Sequence, residues 1–292
     1  MYQYIEEANE ILKNYLETIS DNKSKVFYQT RLNRFFHDYL SLDHNKARPM
    51  NALNFHDLNT FINSLKFTNN EKLNYFYAFK GFFSFAYIGN FIPNEIMKGV
   101  IKPLVKSKVR KYIDKASIEK LIGFTKDIKI PIEDRLLVGF FMYTGLSRQY
   151  IANLTNYQIS TGNQYYSLHF DMGSHVRYVP LNIELTNLIK EYRKLMPIIR
   201  PYDKVFKLNE NYISDKIKNL SKQITNHEFT PTQYSNTFIK YVLNKGNDVL
   251  SVSRLTLESL NTIEKHIDIN EEEIVKKQIN ILEGLFEEDN IT

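Results

Sequence analysis

The side chains best suited to binding chemistry in this sequence are cations concentrated in one short segment. Residues 101–115 read IKPLVKSKVRKYIDK, and six of them are basic: Lys102, Lys106, Lys108, Arg110, Lys111 and Lys115. Their apolar neighbours follow neither a helical nor a strand period, which is typical of a linker between two domains. Lysine and arginine in such a segment can lie along nucleic-acid phosphates and release counterions, and the alternative is a solvated loop.

Further polar residues gather at predicted helix starts and at a predicted hairpin. Four of them place positive charge in the second half of the chain: Arg148, His175, Arg177 and Lys240. Four others begin a predicted helix: Thr230, Thr232, Gln233 and Ser235. A helix N-terminus favours anions, and glutamine can read adenine through two hydrogen bonds. Helix capping explains the same four residues equally well, and Arg177 can instead pair with a carboxylate across the hairpin.

Composition narrows the classes of function. The chain has 292 residues, of which 43% are hydrophobic, with 20 Phe and 20 Tyr, so two domains with large cores are expected. Cysteine is absent, which excludes disulfides, cysteine-ligated zinc and thiol nucleophiles and suits a reducing cytoplasm. The ten glycines form no phosphate-binding loop, the seven histidines include no pair with zincin spacing, and no nucleophile elbow occurs. We therefore expect neither a cofactor nor a metal.

Charge is unevenly distributed along the chain. The net charge is +5, and residues 264–292 contribute −6 through nine acidic and three basic side chains, so the remainder carries +11. A basic body with a short acidic tail indicates a polyanion-binding protein, and the alternative is a solubilising surface charge. The N-terminus lacks the apolar segment of a secretory signal, and the longest near-apolar run, residues 136–146, is too short to span a bilayer. We expect an intracellular protein that does not bind membranes.

Hydrophobic periodicity predicts helices around a small β region. In the first half we expect helices over residues 5–19, 26–40, 57–65 and 69–87. The aromatic stripe of the last of these is expected in the core: Phe76, Phe79, Phe83 and Tyr87. In the second half we expect helices over residues 118–122, 136–143, 182–195, 212–223, 231–244 and 271–286. Residues 165–170 and 177–181 read as strands, joined by a turn at residues 171–174 (DMGS).

Four segments in the second half resemble, in order, the C-terminal domain of the tyrosine recombinases (phage integrases). Residues 144–154 (TGLSRQYIANL) resemble T-G-L-R-x-S-E-L-x-x-L, and residues 173–181 (GSHVRYVPL) resemble G-x-K-x-R-x-V-P-L. Residues 229–238 (FTPTQYSNTF) resemble T-P-H-x-L-R-H-x-F, and residues 246–255 (GNDVLSVSRL) resemble G-x-D-x-x-x-I-x-x-L. The N-terminal helices and the basic linker also match, so the resemblance covers nearly the whole chain.

The resemblance implies a mainly α fold with a small β-sheet in two domains. Residues 1–101 correspond to a helical core-binding (SAM-like) domain, residues 102–115 to the basic linker, and residues 116–292 to a catalytic-like domain with a C-terminal helix. In the family, the two domains clamp a DNA duplex from opposite faces, and helix starts of the first domain meet the major groove. Residues here at such helix starts are Lys23, Lys25, Arg31, Asn69, Asn70 and Lys72, and the alternative for each is a solvated helix end.

The catalytic side chains of the family are missing from this sequence. Strand cleavage needs a tyrosine nucleophile, two arginines for the developing charge, and a lysine and histidine for proton transfer. The corresponding positions carry Ser147 and Ser235 for the arginines, Met172 for the lysine, Thr232 for the histidine, Asn236 for the next His or Trp, and His266 for the nucleophile. No tyrosine follows Tyr241. Arg148 is one residue from the first arginine position, but that shift turns a helical side chain by about 100°.

The leading interpretation is therefore a sequence-specific DNA-binding transcriptional regulator, not an enzyme. The sequence looks similar to the master repressors of SPβ-like temperate phages, which hold the lysogenic state, so we expect a repressor of prophage genes at the nucleoid in a bacterial cytoplasm. The alternatives are a divergent active site-specific recombinase and an accessory DNA-binding partner of one. The apolar stripe on residues 271–286 either docks onto a second copy of the chain or folds back in cis.

Overall fold

A computed structural model of the chain describes residues 1–105, 109–162, 166–173, 175–196 and 200–267, together with Val275 and Ile279. The chain divides into two units, Met1–Lys108 and Val109–Thr292. The division falls within the segment predicted as a linker. Lys106 and Lys108 lie outside the described residues, as does the predicted C-terminal helix over residues 271–286 apart from Val275 and Ile279.

The described part of the first unit contains four α-helices and two short 3-10 helices, Met50–Ala52 and Ile96–Gly99. The helices are α1 Ile5–Glu17, α2 Asn22–Arg34, α3 Phe55–Ser64 and α4 Asn69–Ile88. A single π-helical turn, Phe35–Tyr39, continues α2, so the second predicted helix is present over most of its length. Side-chain oxygens of Asp21, Asn54 and Thr68 accept hydrogen bonds from backbone N–H groups in the first turns of α2, α3 and α4. Polar capping residues therefore determine where three of these helices begin.

Aromatic rings fill the core of the first unit. Phe35 lies at the centre, with its ring centroid 5.0 Å from that of Phe79 and 5.2 Å from that of Phe61. Phe79 and Phe83 are buried as expected, whereas Tyr87 is 39% exposed, so its placement in the core was wrong. The reason is that α4 buries Phe82 beside Phe83, which rotates the apolar face away from Tyr87.

The second unit contains eight α-helices in its described part and one three-stranded antiparallel sheet. The helices are α5 Lys115–Lys126, α6 Ile132–Thr144, α7 Arg148–Asn153, α8 Ile183–Leu195, α9 Glu210–Thr225, α10 Pro231–Asn244, α11 Val249–Thr256 and α12 Leu260–Glu264. The strands are β1 Ile159–Thr161, β2 Tyr166–Asp171 and β3 Val176–Pro180, in the order β1-β2-β3. The hairpin of β2 and β3 confirms the predicted strand pair. The sequence did not predict β1, because three residues are too few to show a period.

The sheet and the helices share one core around α6. Leu168 and Phe170 of β2 and Val179 of β3 alternate with exposed or half-buried neighbours, as expected for a sheet that packs on one face. Arg135 on α6 is 4% exposed, and its guanidinium donates to both carboxylate oxygens of Glu191 on α8, at 2.7 and 3.1 Å. A buried arginine needs such a carboxylate, so this pair fixes α6 against α8.

Replacing Phe79 with alanine should destabilise the first unit strongly. The side chain is fully buried among other rings, so its loss leaves a cavity, and we expect the free energy of unfolding to fall by about 3–5 kcal/mol. The control is Tyr77→Ala on the same helix, where the ring is 44% exposed and the expected loss is about 0.5 kcal/mol. Urea unfolding followed by far-ultraviolet circular dichroism measures both, and equal losses would contradict the assigned packing.

Candidate nucleic-acid interface

The start of α10 is occupied by a capping box. The Gln233 N–H donates to Thr230 Oγ1 at 3.3 Å, and Gln233 Oε1 accepts from the backbone N–H of Thr230 at 3.0 Å and from its hydroxyl at 3.1 Å. Reading adenine through two hydrogen bonds needs that same Oε1 together with the side-chain amide N–H. As placed, Gln233 therefore caps the helix, which is the alternative that the sequence left open. Thr232 is exposed beside it.

The residues at both predicted arginine positions are neutral and lie in the same region of the fold. Ser235 is 9% exposed, and its hydroxyl donates to the carbonyl oxygen of Gly145 at 2.8 Å. Gly145 ends α6 with φ +65°, and a Cβ there would lie 2.3 Å from the ring of Phe238. Ser147 follows at the N-cap of α7 without a side-chain cap bond. Ser235 therefore holds the turn between α6 and α7.

Residues 111–113 are hydrogen-bonded to α10. The Asn236 side-chain amide donates to the carbonyl oxygen of Lys111 at 3.3 Å, and the backbone N–H of Ile113 donates to Thr237 Oγ1 at 2.9 Å. Ile113 is 4% exposed and belongs to the core of the second unit. The C-terminal part of the predicted linker is therefore packed into this unit. Asn236 stands where the resemblance placed a His or Trp, and here it holds backbone.

His266, at the position of the family's nucleophile, is buried. Its side chain is 5% exposed, and its Nδ1 lies 3.4 Å from the hydroxyl of Tyr112. Burial, together with the smaller effect of the nearby charges of Arg110 and Lys240, lowers the pKa of His266 from 6.5 to about 4. The imidazole is therefore neutral at neutral pH, and it contributes no positive charge to a phosphate.

Two of the predicted DNA contacts, Arg110 and Lys240, lie near Tyr112 and His266. Arg110 Nη1 donates to the carbonyl oxygen of Lys265 at 2.8 Å, and the ammonium of Lys240 lies 4.7 Å from the centroid of the Tyr112 ring. Lys111, which lies between Arg110 and Tyr112 in the sequence, is exposed. We call Arg110, Lys111, Tyr112, Lys240 and His266 the Tyr112 cluster. Sequence reasoning missed Tyr112, and the available signal was its position directly after Arg110 and Lys111.

The remaining predicted contacts of the second unit lie on α7 and the hairpin. Arg148 is exposed, and its Nη1 donates to the hydroxyl of Ser214 on α9 at 3.2 Å, which gives it a fixed partner. In the hairpin turn, Met172 is 39% exposed and its N–H donates to the carbonyl oxygen of the exposed His175 at 3.0 Å. Arg177 is half-buried on β3 opposite Phe170, and no carboxylate of the described residues forms an ion pair with it.

The predicted contacts of the first unit divide into surface and structural residues. Lys23 and Asn70 are exposed and Lys25 is half-buried. Arg31 forms an ion pair with Glu71 at 2.7 Å and lies 3.9 Å from the centroid of Phe27, so it ties α2 to α4. Two others hold loops through hydrogen bonds to backbone carbonyl oxygens, Lys72 to Asn63 and Asn69 to Leu104. The surface residues are therefore the better candidates for contact with a partner.

Comparison with solved structures identifies the fold. The chain matches XerH site-specific recombinase bound to difH substrate with a TM-score of 0.64 and 20% identity, over 86% of this chain and 78% of that one. It matches the Tn1549 transposon integrase in complex with circular intermediate DNA with a TM-score of 0.67 and 14% identity, over 93% and 98%. A lambda integrase dimer bound to a COC′ core site gives a TM-score of 0.66 and 12% identity, over 89% and 95%.

The chain therefore has the tyrosine recombinase fold, as the sequence motifs predicted. No protein-family model and no curated protein matches it. None of the helices in the described part of the chain combines the length and apolarity that a bilayer-spanning segment needs. Within the same ranges, no three histidine, aspartate or glutamate side chains are arranged to hold a metal ion.

Burial of neutral His266 predicts a specific pH dependence of stability. Between the unfolded pKa of 6.5 and the folded value of about 4, the unfolded chain binds a proton that the folded chain does not, so stability falls as pH decreases through this window. When the pH is lowered from about 7 to about 5, protonation of this histidine in the unfolded chain should decrease the free energy of unfolding by about 2 kcal/mol. In His266→Gln we expect the decrease over that range to be smaller by this amount.

Urea unfolding at both pH values measures the difference. The control is His56→Gln, which removes an exposed histidine and keeps His266, so the wild-type pH dependence should persist. An equal decrease in His266→Gln and wild-type protein would mean that the imidazole at the nucleophile position is charged in the folded state.

Proposed function

We propose that this protein is a sequence-specific DNA-binding transcriptional regulator, a repressor of prophage genes, built on a tyrosine recombinase fold that does not cleave DNA. The observation that carries the proposal is the buried, neutral His266 at the nucleophile position, next to arginine positions occupied by serines. Loss of a single group that stabilises the transition state costs on the order of 10²–10³ in rate, and loss of the nucleophile removes the covalent route altogether.

DNA binding is supported by the fold and by the lysine and arginine side chains near Tyr112 and at the start of α2. XerH, the Tn1549 integrase and lambda integrase share this fold and were each solved with DNA. Arg110, Lys111 and Lys240 lie together in the Tyr112 cluster, and Lys23 and Lys25 lie at the start of α2. Phosphate contacts by such residues need no catalytic group, so an inactive scaffold can keep its affinity for a duplex.

Genome-wide capture of DNA by the purified protein tests the regulator. We expect discrete sites upstream of genes, and gel shifts in which six phosphate contacts would lower the affinity by about 10³ between about 50 and about 200 mM salt. A scrambled duplex of the same length and composition is the control. Uniform binding to any duplex would contradict sequence-specific regulation, and sites confined to an attachment junction would favour an accessory role in recombination.

A divergent recombinase is the second candidate, because Tyr112 places a phenol hydroxyl 3.4 Å from His266 Nδ1, with Arg110 and Lys240 nearby. Incubating the protein with its captured site carrying a nick should, on our proposal, give no protein–DNA adduct that survives denaturant. Tyr112→Phe is the matched control, since it keeps the ring and removes the hydroxyl. An adduct formed by the wild-type protein and lost in Tyr112→Phe would overturn the proposal and identify Tyr112 as a relocated nucleophile.

A further inference from the structure

The backbone of residues 110–113 is held from α10 by two neutral side chains. Asn236 donates to the carbonyl oxygen of Lys111, and Thr237 accepts from the N–H of Ile113. These two residues are adjacent in sequence, and their partners are two positions apart. Together they hold the chain on both sides of Tyr112, whose ring contacts Lys240 and whose hydroxyl lies near the buried His266.

The segment that is held carries two cations. Arg110 is half-buried and bonded to the carbonyl oxygen of Lys265, while Lys111 is exposed. Neither forms an ion pair with a carboxylate in the described ranges, so their charge is available to an anionic partner. A flexible basic segment loses backbone conformational entropy when its cations bind successive phosphates, and this loss weakens binding. In a segment that the folded protein already holds in place, the entropy was lost on folding, so binding is not weakened in this way.

We infer that Asn236 and Thr237 are positioning residues for DNA binding, which hold residues 110–113 so that Arg110 and Lys111 engage phosphates together with Lys240. This inference rests on the proposed function and goes further, because it assigns affinity to two uncharged side chains that need not touch DNA. It also gives a use to Asn236, which stands at a degenerate catalytic position.

The salt dependence of DNA affinity distinguishes positioning from general stabilisation. In the double variant Asn236→Ala/Thr237→Val, both holding bonds are lost and two phosphate contacts become loose. We expect binding to a duplex containing the captured site to weaken about tenfold, and the slope of log affinity against log salt to fall in magnitude by up to about two. A role in folding alone would lower the melting temperature and leave the slope of the folded protein unchanged.

Three control variants accompany this measurement. Asn244→Ala makes a comparable change at the exposed C-terminal end of α10 and should keep both the wild-type affinity and the wild-type slope. Thr237→Ser keeps the accepting hydroxyl and should bind like the wild-type protein. Arg110→Gln/Lys111→Gln removes the two charges at the surface, so it tests the segment even if the double variant of α10 does not fold.

A thermodynamic cycle decides the inference. If α10 acts through the two cations, combining both double variants should give little more loss of affinity than Arg110→Gln/Lys111→Gln alone. Additive losses, or wild-type binding by Asn236→Ala/Thr237→Val or by Arg110→Gln/Lys111→Gln, would overturn the inference while leaving the DNA-binding function intact. Absence of specific binding by the wild-type protein would instead remove the proposed function, and the inference with it.

Discussion

The second unit depends on the polar residues of the first two turns of α10, which satisfy backbone groups of two other segments. Ser235 bonds the carbonyl oxygen of Gly145, and the next two residues along the helix, Asn236 and Thr237, bond Lys111 and Ile113. The bonds to Gly145 and Ile113 are buried, where an unpaired backbone donor or acceptor is costly, whereas the bond to Lys111 is exposed. One helix therefore sets the places of the α6–α7 turn and of the basic segment that opens the unit.

Two of these residues stand at positions where the resemblance places catalytic side chains of the tyrosine recombinases, Ser235 at an arginine position and Asn236 at the next His or Trp position. An arginine that faces a scissile phosphate supplies charge, whereas Ser235 and Asn236 are neutral and donate hydrogen bonds to carbonyl oxygens. His266 is a third neutral side chain in this region, because burial lowers its pKa and keeps it uncharged beside Tyr112. On the proposed function, positive charge then lies beside the former site, on Arg110, Lys111 and Lys240, where it can bind a phosphate without attacking it.

The first unit is held together mainly by packing of aromatic side chains rather than by polar side chains bonded to backbone groups. Aromatic rings around Phe35 supply most of its buried apolar surface, and edge-to-face contacts between them restrict how α2, α3 and α4 can pack. Arg31 and Glu71 add an ion pair between α2 and α4 at the edge of this core. Lys23, Lys25 and Asn70 lie at the starts of these two helices.

Local patterns in the sequence were sufficient for nine of the α-helices in the described residues (α1–α6 and α8–α10), for the β2–β3 hairpin and for the order of the four recombinase-like segments, because each depends on a few neighbouring positions. The short helices α7, α11 and α12 were not predicted. The exposure of Tyr87 and the bond from Ser235 to Gly145 depended instead on which faces pack together. The Tyr112 cluster is the clearest case, since Tyr112 and His266 are separated by 154 positions. No periodicity links residues that far apart, and only the folding of α10 and α12 around one core brings an uncharged imidazole, a phenol and three cations together.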